Sequence, residues 1–390
     1  MATTITNAEN ALKTYYLDAI SSQLNDYVNP FFAAIEKSTT DVWGKEVKKL
    51  AISGINGGIG AGSEDGNLPQ SNSNKYVQLT STLKNLYGVI EISDKAIRAS
   101  ENNAGAFVSL LNSEMEGLIK ASKLNFSRML FGDSSGRLAR ITRCVEDMVG
   151  VSEVTGLMQG MKIQVGDYYG NLLEGYENRT ILDVNKQEYQ IKINGDIEGI
   201  INASGDLYIY VQNSSNQEIT GLEAIFNIEQ PIYGLDRKTN AILNPYVESL
   251  TGAITEEDIQ KVIDEIEINT GSTINFIICS HRVKRILQKL FSQNRSNVDN
   301  VELAGGYKTM SYNGIPIVAD RFCKDDAIYF LNTKDFALHQ LCDWEWLSGD
   351  DGKILKQVPG KPVYTATLVK YAELMCSCPA GQGVLYNVFE

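Results

Sequence analysis

The sequence has few of the residues that most often build metal and catalytic sites. Its 390 residues include two histidines and six cysteines, and the cysteines have no disulfide-framework spacing. That usage is typical of reduced thiols in a reducing compartment. Cys376 and Cys378 form Cys-x-Cys, which in a strand places both sulfurs on one face. A metal there would need two more ligands, and His281 and His339 are the only histidines, so buried thiols are the better interpretation.

Long apolar runs and a basic surface are also missing. No run of 18 apolar residues occurs, so no membrane-spanning helix is predicted. The N-terminus lacks the basic and apolar regions of a secretory signal, so intracellular synthesis is expected. The formal net charge of −13 argues against a sequence-specific nucleic-acid binder, which needs a basic footprint. The same net charge is compatible with an acidic wall that surrounds DNA without binding it tightly.

Motifs for nucleotide binding and catalysis are absent. The stretch around Gly58 and Gly60 lacks the third glycine of G-x-G-x-x-G, and no Gly-Lys-Ser/Thr follows it. Cys279 and His281 are interpreted as chance neighbours, since their side chains need not converge. His339 has no acidic or nucleophilic partner at a recognisable spacing. The sequence therefore gives no positive case for an enzyme or for a cofactor.

The length of 390 residues and the composition, with 43% hydrophobic and 21% charged residues, predict a folded protein of two or three units. Residues 1–44 predict an arm with partial helical spacing, broken at Asn29-Pro30. Residues 45–92 predict a long hairpin, because both flanks alternate apolar and polar residues. The connection between them is rich in Gly, Ser, Asn and Asp, which predicts a flexible, extended tip.

The strongest helical pattern runs from Ser93 to Phe131. Ser93 and Asp94 are N-cap candidates, and Gly132-Asp133 ends the pattern. Apolar residues recur mostly at steps of three, four or seven, as at Phe107, Leu111, Met115, Leu118 and Phe126. At ~1.5 Å per residue the helix would be a rod of roughly 55 Å. A rod of that length must lie across another element or a neighbouring subunit.

The second half of the chain first predicts an inserted antiparallel β unit over residues 145–218. Its strands alternate, with turns at Gly166-Asp167, Asn194-Gly195-Asp196 and Gly205-Asp206. An α/β unit follows. Thr255 with Asp258 predicts a capping box, and Gly271 ends that helix.

Later strands complete the chain. In YNGIPIVADRFCKDDAIYFLN (312–332), the turn dipeptide Asn313-Gly314 precedes IPIVA, which we expect to pair with AIYFLN. The tail from residue 346 is mostly strand, with a turn at 349–352.

Several of these segments, in this order, carry a family resemblance: YGVIEISDKAIRAS (87–100), TGLEAIF (220–226), YGLDR (233–237) and the run from ITEEDIQKVIDEI through FIICSHRVKRILQKL to residue 332. The chain resembles the major capsid proteins of tailed bacteriophages, whose fold is named for phage Hong Kong 97. The resemblance covers nearly the whole chain and rests on the ordered set of segments, because no single motif is diagnostic.

The resemblance implies an α+β, Hong Kong 97-like capsid fold. Its parts would be an N-terminal arm (1–44), an E-loop hairpin over the adjacent subunit (45–92), a peripheral domain with the spine helix (93–144), an inserted β unit (145–218), an axial domain (219–345) and peripheral return strands (346–390). The β unit is extra to the minimal fold and is expected to decorate the outer surface.

The resemblance also implies three sets of contact residues. The E-loop contacts between subunits would be Gly57, Gly58, Gly60, Asp65 and Leu68. The loop at the capsomer axis would contribute Asn294, Arg295, Asp299 and Glu302. The turn near the three-fold contacts would contribute Asp350, Asp351 and Lys353. Cross-linking through an E-loop lysine is not expected, because residues 54–74 contain none.

The function implied is structural: self-assembly into pentamers and hexamers of an icosahedral or prolate shell that encloses phage double-stranded DNA without sequence-specific contact. Expected partners are a portal protein, a decoration protein on the insertion and a scaffolding protein. A separate scaffold is expected because only 44 residues precede the hairpin. The location would be the virion, after assembly in the host bacterial cytoplasm, with no membrane contact. The alternatives are an encapsulin-type shell of the same fold and a cytosolic enzyme.

Overall fold

The computed structural model describes residues 29–95, 104–145, 147–294, 300–302, 308–349, 352 and 354–389. The strands are β1 (Glu36–Ser38), β2 (Val42–Trp43), β3 (Glu46–Gly54), β4 (Lys75–Thr82), β5 (Lys84–Ser93), β6 (Arg137–Val145), β7 (Met148–Val151), β8 (Lys162–Gly166), β9 (Arg179–Asn185), β10 (Gln190–Ile193), β11 (Tyr208–Val211), β12 (Tyr246–Ser249), β13 (Phe276–Cys279), β14 (Asn300–Glu302), β15 (Lys308–Tyr312), β16 (Ile315–Ala319), β17 (Ile328–Leu331), β18 (Phe336–Trp346), β19 (Lys356–Gln357), β20 (Val363–Cys376) and β21 (Gly383–Tyr386).

The α-helices are α1 (Pro30–Ala34), α2 (Ala104–Met129), α3 (Glu198–Asn202), α4 (Leu222–Phe226), α5 (Glu256–Thr270) and α6 (His281–Asn294). Short 3₁₀ helices cover Ala241–Leu243, Thr333–Asp335 and Pro379–Gly381. Across the described ranges, no helix combines the length and the apolar character needed to cross a membrane.

Of the predicted arm, residues 1–28 lie outside the described residues. The described part begins at Asn29, whose side-chain oxygen accepts hydrogen bonds from the amides of Phe31 and Phe32 and so caps α1. Phe31 is fully buried and packs edge-on against Phe336, with 5.3 Å between ring centroids. The chain then adds β1 to β18 in parallel, so this segment is anchored to the main core.

The predicted hairpin is present, but it ends at Thr82. Strands β3 and β4 pair antiparallel from Glu46 opposite Thr82 to Gly54 opposite Lys75, and β2 extends this sheet. The prediction that the hairpin continues to residue 92 is wrong, because β5 pairs with β20 instead. The apolar residues of β5 alternate because one face of this strand is buried against helix α2, not because the strand belongs to the hairpin.

Helix α2 lies across the sheet that contains β1, β18, β20, β19 and β5. A Cβ added at Gly88 on β5 would lie 3.0 Å from Leu118, so this glycine permits the close approach of the helix. Met115, Ile119 and Phe126 are buried on this side of the helix. The predicted helical pattern is confirmed over 26 described residues, about 39 Å.

The start of the predicted rod agrees with the N-cap expected at Ser93. Ser93 is the last residue of β5, and the helical residues Asp94 and Lys95 follow it directly. Residues 96–103 lie outside the described residues, so the full length of the rod stays a prediction.

The inserted β unit is a closed barrel with the strand order β10-β7-β6-β11-β8-β9. It has its own apolar core, to which Ile163, Val165, Ile191 and Ile209 belong. The barrel begins at Arg137 rather than at residue 145, because β6 pairs with both β7 and β11.

The α/β unit contains a seven-stranded sheet of order β12-β21-β17-β13-β16-β15-β14. The predicted capping box is present: the hydroxyl of Thr255 accepts from the amide of Asp258, whose carboxylate accepts from the amide of Thr255. Gly271 ends α5 in the left-handed conformation with φ +68°. The hydroxyl of Ser280 accepts from the amide of Val283, as expected of a cap on α6.

The predicted pairing of IPIVA with AIYFLN is wrong. These segments are β16 and β17, and β13 lies between them, parallel to β16 and antiparallel to β17. All four residues of β13 are buried, so this strand fills the centre of the sheet and separates the two. The turn at Asn313-Gly314 instead joins β15 to β16, with positive φ at both residues.

Candidate functional site: an exposed apolar hairpin and its anchorage

The hairpin of β3 and β4 exposes apolar side chains along most of its length. The exposed ones are Leu50 (63%), Ile52 (58%), Ile55 (80%), Ile59 (80%), Leu68 (90%) and Tyr76 (54%). Single exposed apolar side chains are ordinary on protein surfaces, but here six fall within residues 50–76. Such a concentration is typical of a surface that another chain covers.

The two faces of the hairpin differ because side chains alternate along each strand. Val47, Ala51 and Leu79 lie on one face and are buried in the main core. Leu50 and Ile52 lie on the opposite face and are exposed. The root of the hairpin is thus packed on the body of the protein, while its outer face is uncovered.

The tip contains every residue predicted as an E-loop contact. Gly57, Gly58, Gly60, Asp65 and Leu68 are placed on one connecting loop between β3 and β4. The hydrogen bonds of this loop are local, as in the 2.9 Å bond from the Gly58 amide to the Asn56 side chain and the 3.1 Å bond from the Gly66 amide to the Ser63 carbonyl. The structure brings these residues together, and their contact role stays a prediction.

The predicted capsomer-axis residues fall at one edge of the α/β sheet. Asn294 is the last residue of α6, and Glu302 ends β14, the outermost strand of the sheet. Arg295 and Asp299 lie outside the described residues.

The predicted three-fold contact residues Asp350, Asp351 and Lys353 all lie outside the described residues. Their neighbours form the expected turn, in which the amide of Gly352 donates to the carbonyl of Gly349 at 2.9 Å. Gly352 has φ +75°, which favours glycine.

The YGLDR segment anchors the hairpin root to two other parts of the protein. The carbonyl of Tyr233 accepts from the amide of Thr80 on β4 at 3.0 Å. Its hydroxyl accepts from the amide of Cys376 at 2.9 Å and donates to the carbonyl of Leu374, which satisfies the edge of β20. Full burial raises the pKa of Tyr233 well above its usual value, so the hydroxyl keeps its proton.

Arg237 holds the far end of the same segment. It is buried, and its guanidinium donates to the carbonyls of Gln230 (2.7 Å), Ile225 (2.8 Å) and Ala224 (2.9 Å). A buried guanidinium with several acceptors is stable, because its N–H groups are satisfied. The segment therefore has a structural role that the sequence pattern alone did not reveal.

A cleft of about 610 Å³ lies between the barrel and the α/β unit. Burial raises the pKa of Glu153 and of Glu223, and Lys324, 3.6 Å from Glu223, partly offsets this. Among the described residues that line the cleft there is no histidine. Burial raises the pKa of the Cys323 thiol well above its usual value, which disfavours the reactive thiolate.

The cysteines do not form the predicted strand pair. Cys376 ends β20, whereas Cys378 lies beyond the strand, just before the 3₁₀ helix Pro379–Gly381. The expectation that both sulfurs share one strand face is wrong because the strand ends first. Within the described part of the chain, no group of three or more His, Cys, Asp or Glu side chains is placed to hold a metal.

A further exposed apolar surface, on β5, was not predicted from the sequence. Tyr87 and Val89 are exposed on β5, opposite to its buried face, and the ring of Tyr87 packs edge-on against Tyr371 at 6.3 Å. The strict alternation of β5 was the available signal, but alternation does not tell which of two apolar faces is covered.

Comparison with known proteins gives one family match and several fold matches. The family model of the SU10 major capsid protein matches residues 4–351. A chain of the Cyanophage A-1(L) capsid asymmetric unit is similar, with a TM-score of 0.56, 11% identity and coverage of 92% of this chain and 91% of that chain. No functionally curated protein matches the chain in sequence.

Two further solved structures are similar over most of their length. A chain of the capsid of the native GTA particle has a TM-score of 0.48 and 10% identity, covering 93% of this chain and 92% of that chain. A chain of the holo-SrpI encapsulin complex from Synechococcus elongatus PCC 7942 has a TM-score of 0.46 and 11% identity, covering 93% of this chain and 89% of that chain.

The family match and the fold agree. The mixed α+β architecture is that of a phage capsid protein, as the Cyanophage A-1(L) chain indicates. The family model extends over far more than half of the chain. The protein belongs to the SU10 major capsid protein family.

Proposed function

We propose that this major capsid protein forms pentamers and hexamers of a closed icosahedral or prolate shell around phage double-stranded DNA. In this proposal the hairpin of β3 and β4 is the E-loop, the arm by which each subunit holds its neighbour. The observation that carries the proposal is the rooted hairpin, whose outer face and tip carry exposed apolar side chains that no described residue covers.

The energetics favour association through this arm. Burying a side chain the size of Ile or Leu contributes about 1.5–3 kcal/mol, so five or six such residues supply a substantial driving force. Ordering the glycine-rich tip and immobilising the subunit offset part of it. In a closed shell the same contact repeats by symmetry, so modest contacts add up to a stable lattice.

The remaining parts take the roles that the capsid fold implies. Helix α2 serves as the spine helix, supported by its packing across the sheet of β5, β18 and β20. The α/β unit is the axial domain, with the 293–305 loop at the capsomer centre. The 349–352 turn lies towards the three-fold contacts, and the barrel decorates the outer surface.

The partners follow from the same proposal. A separate scaffolding protein and a portal protein take part in assembly in the host bacterial cytoplasm, and a decoration protein binds the barrel. The net charge of −13 supports packaged DNA held without sequence-specific contact. The role is structural rather than enzymatic.

The test is electron microscopy of the purified full chain and of a double substitution in the tip. Ile55→Asp with Ile59→Asp places two charges where the proposal needs apolar contact, so closed shells should be replaced by small soluble particles. The control, Gln70→Asp with Ser71→Asp, adds the same charge at exposed polar positions of the same loop and should assemble normally.

Particle size separates the two shell proposals. A large shell supports the phage head, and a small uniform shell supports an encapsulin-type compartment. An unsubstituted chain that stays monomeric at high concentration would overturn both, and normal shells from the tip variant would overturn the role of the hairpin.

A further inference from the structure

The chain contains three asparagine–glycine pairs: Asn56-Gly57, Asn194-Gly195 and Asn313-Gly314. Such pairs are chemically labile, because glycine has no side chain to keep its backbone nitrogen away from the side-chain carbon of the asparagine. The reaction between these two atoms also needs the asparagine to rotate. The local structure therefore decides which of the three pairs reacts.

The pair in the turn between β15 and β16 is fixed by its backbone. Asn313 and Gly314 have φ of +50° and +81°, the left-handed conformation of a tight hairpin turn. In that conformation the nitrogen of Gly314 lies on the opposite side of the Cα–C bond from the asparagine side chain. The side-chain amide of Asn313 also donates to Oε1 of Gln260 at 3.0 Å. Reaction at this pair would require the turn to open.

The pair in the barrel is held by strand β9. The amide of Asn194 donates to the carbonyl of Thr180 at 3.0 Å, and its side-chain oxygen accepts from the amide of Thr180 at 2.6 Å. The carbonyl of Asn194 accepts from the guanidinium of Arg179 at 3.0 Å. These three bonds fix both the backbone and the side chain of Asn194. The guanidinium also fills the space beside Gly195, where an added Cβ would collide with it.

The pair in the hairpin tip has none of these restraints. Asn56 and Gly57 are exposed and belong to no helix or strand. Among the described residues, the backbone amide of Gly57 and the side-chain nitrogen of Asn56 have no hydrogen-bond partner. The side-chain oxygen of Asn56 accepts from the amide of Gly58 at 2.9 Å. That donor stabilises the negative charge that develops on this oxygen when a nucleophile attacks the side-chain carbon.

We propose that Asn56 is a site of spontaneous deamidation. The nitrogen of Gly57 loses its proton to solvent, and its electron pair forms a bond with Cγ of Asn56. The Cγ–Nδ2 bond breaks, and the side-chain nitrogen leaves as ammonia. Water then opens the five-membered imide at either of its two carbonyls. The product is aspartate, or isoaspartate, in which the backbone runs through the side-chain carbon. The overall reaction consumes one water and involves no oxidant or reductant.

The product changes the tip where the proposed function needs apolar contact. Asn56 lies in sequence between Ile55 and Ile59, each of which is 80% exposed. A carboxylate at this point loses its water when another subunit covers the tip, which is costly. Isoaspartate also lengthens the backbone and displaces the neighbouring side chains. Unassembled subunits therefore lose the ability to assemble as they age, a consequence that rests on the proposed function.

The first test is peptide mass spectrometry of the purified full chain, kept unassembled at low concentration and incubated in mildly alkaline, isotopically labelled water. Conversion at Asn56 should be faster than at Asn194 and Asn313 by about tenfold or more, because those two sites must first break hydrogen bonds. In denaturant, which removes the restraints, the three sites should convert at similar rates. Equal rates in the folded chain would overturn the proposal.

A pair of glycine substitutions tests the attacking nitrogen. Gly57→Ala adds a methyl group that hinders this nitrogen, so conversion at Asn56 should fall about tenfold while conversion at Asn313 stays the same. Gly62→Ala is the control in the same loop, since an added Cβ there would lie 3.6 Å from the carbonyl of Asn67, an ordinary contact. An unchanged rate in Gly57→Ala, or an equal loss in both variants, would contradict the proposed chemistry.

The consequence for assembly has a separate test. Asn56→Asp reproduces the charge of the product and should lose most of the shells seen by electron microscopy. Gln70→Glu adds the same charge at an exposed polar position of the same loop and should assemble normally. Normal shells from Asn56→Asp would overturn the effect on assembly. The mass spectra of the unassembled chain decide the modification itself, so the failure of one claim is distinguishable from the failure of the other.

Discussion

The hairpin and the barrel are both made of short antiparallel strands with alternating apolar residues, but only the barrel covers its own apolar face. Ile163 and Ile191 in the barrel are fully buried. Ile52 and Ile59 in the hairpin are more than half exposed. Isoleucine is therefore buried in the barrel and exposed in the hairpin, although the strands of both regions alternate apolar and polar residues.

Closure explains the difference. The six barrel strands return on themselves, so every strand has two neighbours and the inward face is sealed. The hairpin sheet has three strands and stays open, so one face packs on the body, and no described residue covers the other face. A sheet that cannot close needs a partner, which here is proposed to be a second copy.

The largest expected effect comes from the same substitution made in both regions. Ile163→Ala in the barrel removes fully buried methyl groups and should destabilise the barrel by about 2–5 kcal/mol. Ile59→Ala at the hairpin tip should change stability by less than about 0.5 kcal/mol. Hydrogen exchange of the barrel strands in the unassembled chain measures the first, and denaturant unfolding measures the second. Equal losses would mean that the tip is packed and would break the comparison.

An intermediate effect is expected where the hairpin root is tied down. Tyr233→Phe removes the hydroxyl that accepts from the buried amide of Cys376. An unsatisfied buried donor should cost about 1–3 kcal/mol, expressed as faster exchange in β20 and at the hairpin root. Tyr169→Phe, at an exposed tyrosine of the barrel, is the control and should be neutral. If both variants behave alike, the YGLDR segment is not an anchor.

The smallest effect is expected for surface charge on the hairpin. Lys48 and Glu46 form an ion pair at 3.3 Å with largely solvated side chains. Lys48→Ala should change the free energy of unfolding by about 0.5 kcal/mol or less, and less still at high salt. Equilibrium denaturation at two salt concentrations checks this. A loss above 1 kcal/mol would show that the hairpin is held by charge as well as by its apolar root.

Features with local causes were predicted from the sequence. The Thr255–Asp258 capping box, the left-handed Gly271 and the Asn313-Gly314 turn each depend on a few adjacent residues, and the structure confirms all three. Helix α2 and the glycine-rich hairpin tip were also found, because their patterns extend over many residues. The contact roles assigned to the tip stay predictions.

Features that depend on distant partners were not predicted from the sequence. The partner of β5 is β20, which lies more than 260 residues further along the chain, and β13 separates β16 from β17. Nothing in the alternation of β5 or in the apolar run of β16 names a neighbour. The roles of Tyr233 and Arg237 were equally hidden, since their acceptors and donors belong to several elements.

The sequence by itself determined the types and approximate limits of the main elements, the turns and caps, and the family to which the chain belongs. The tertiary structure decided which strands pair and that the inserted strands close into a barrel. The physical reason is the distance along the chain over which each effect acts. Propensity, capping and alternation act between neighbours in sequence, whereas strand pairing and burial are settled by whichever distant surfaces exclude water together.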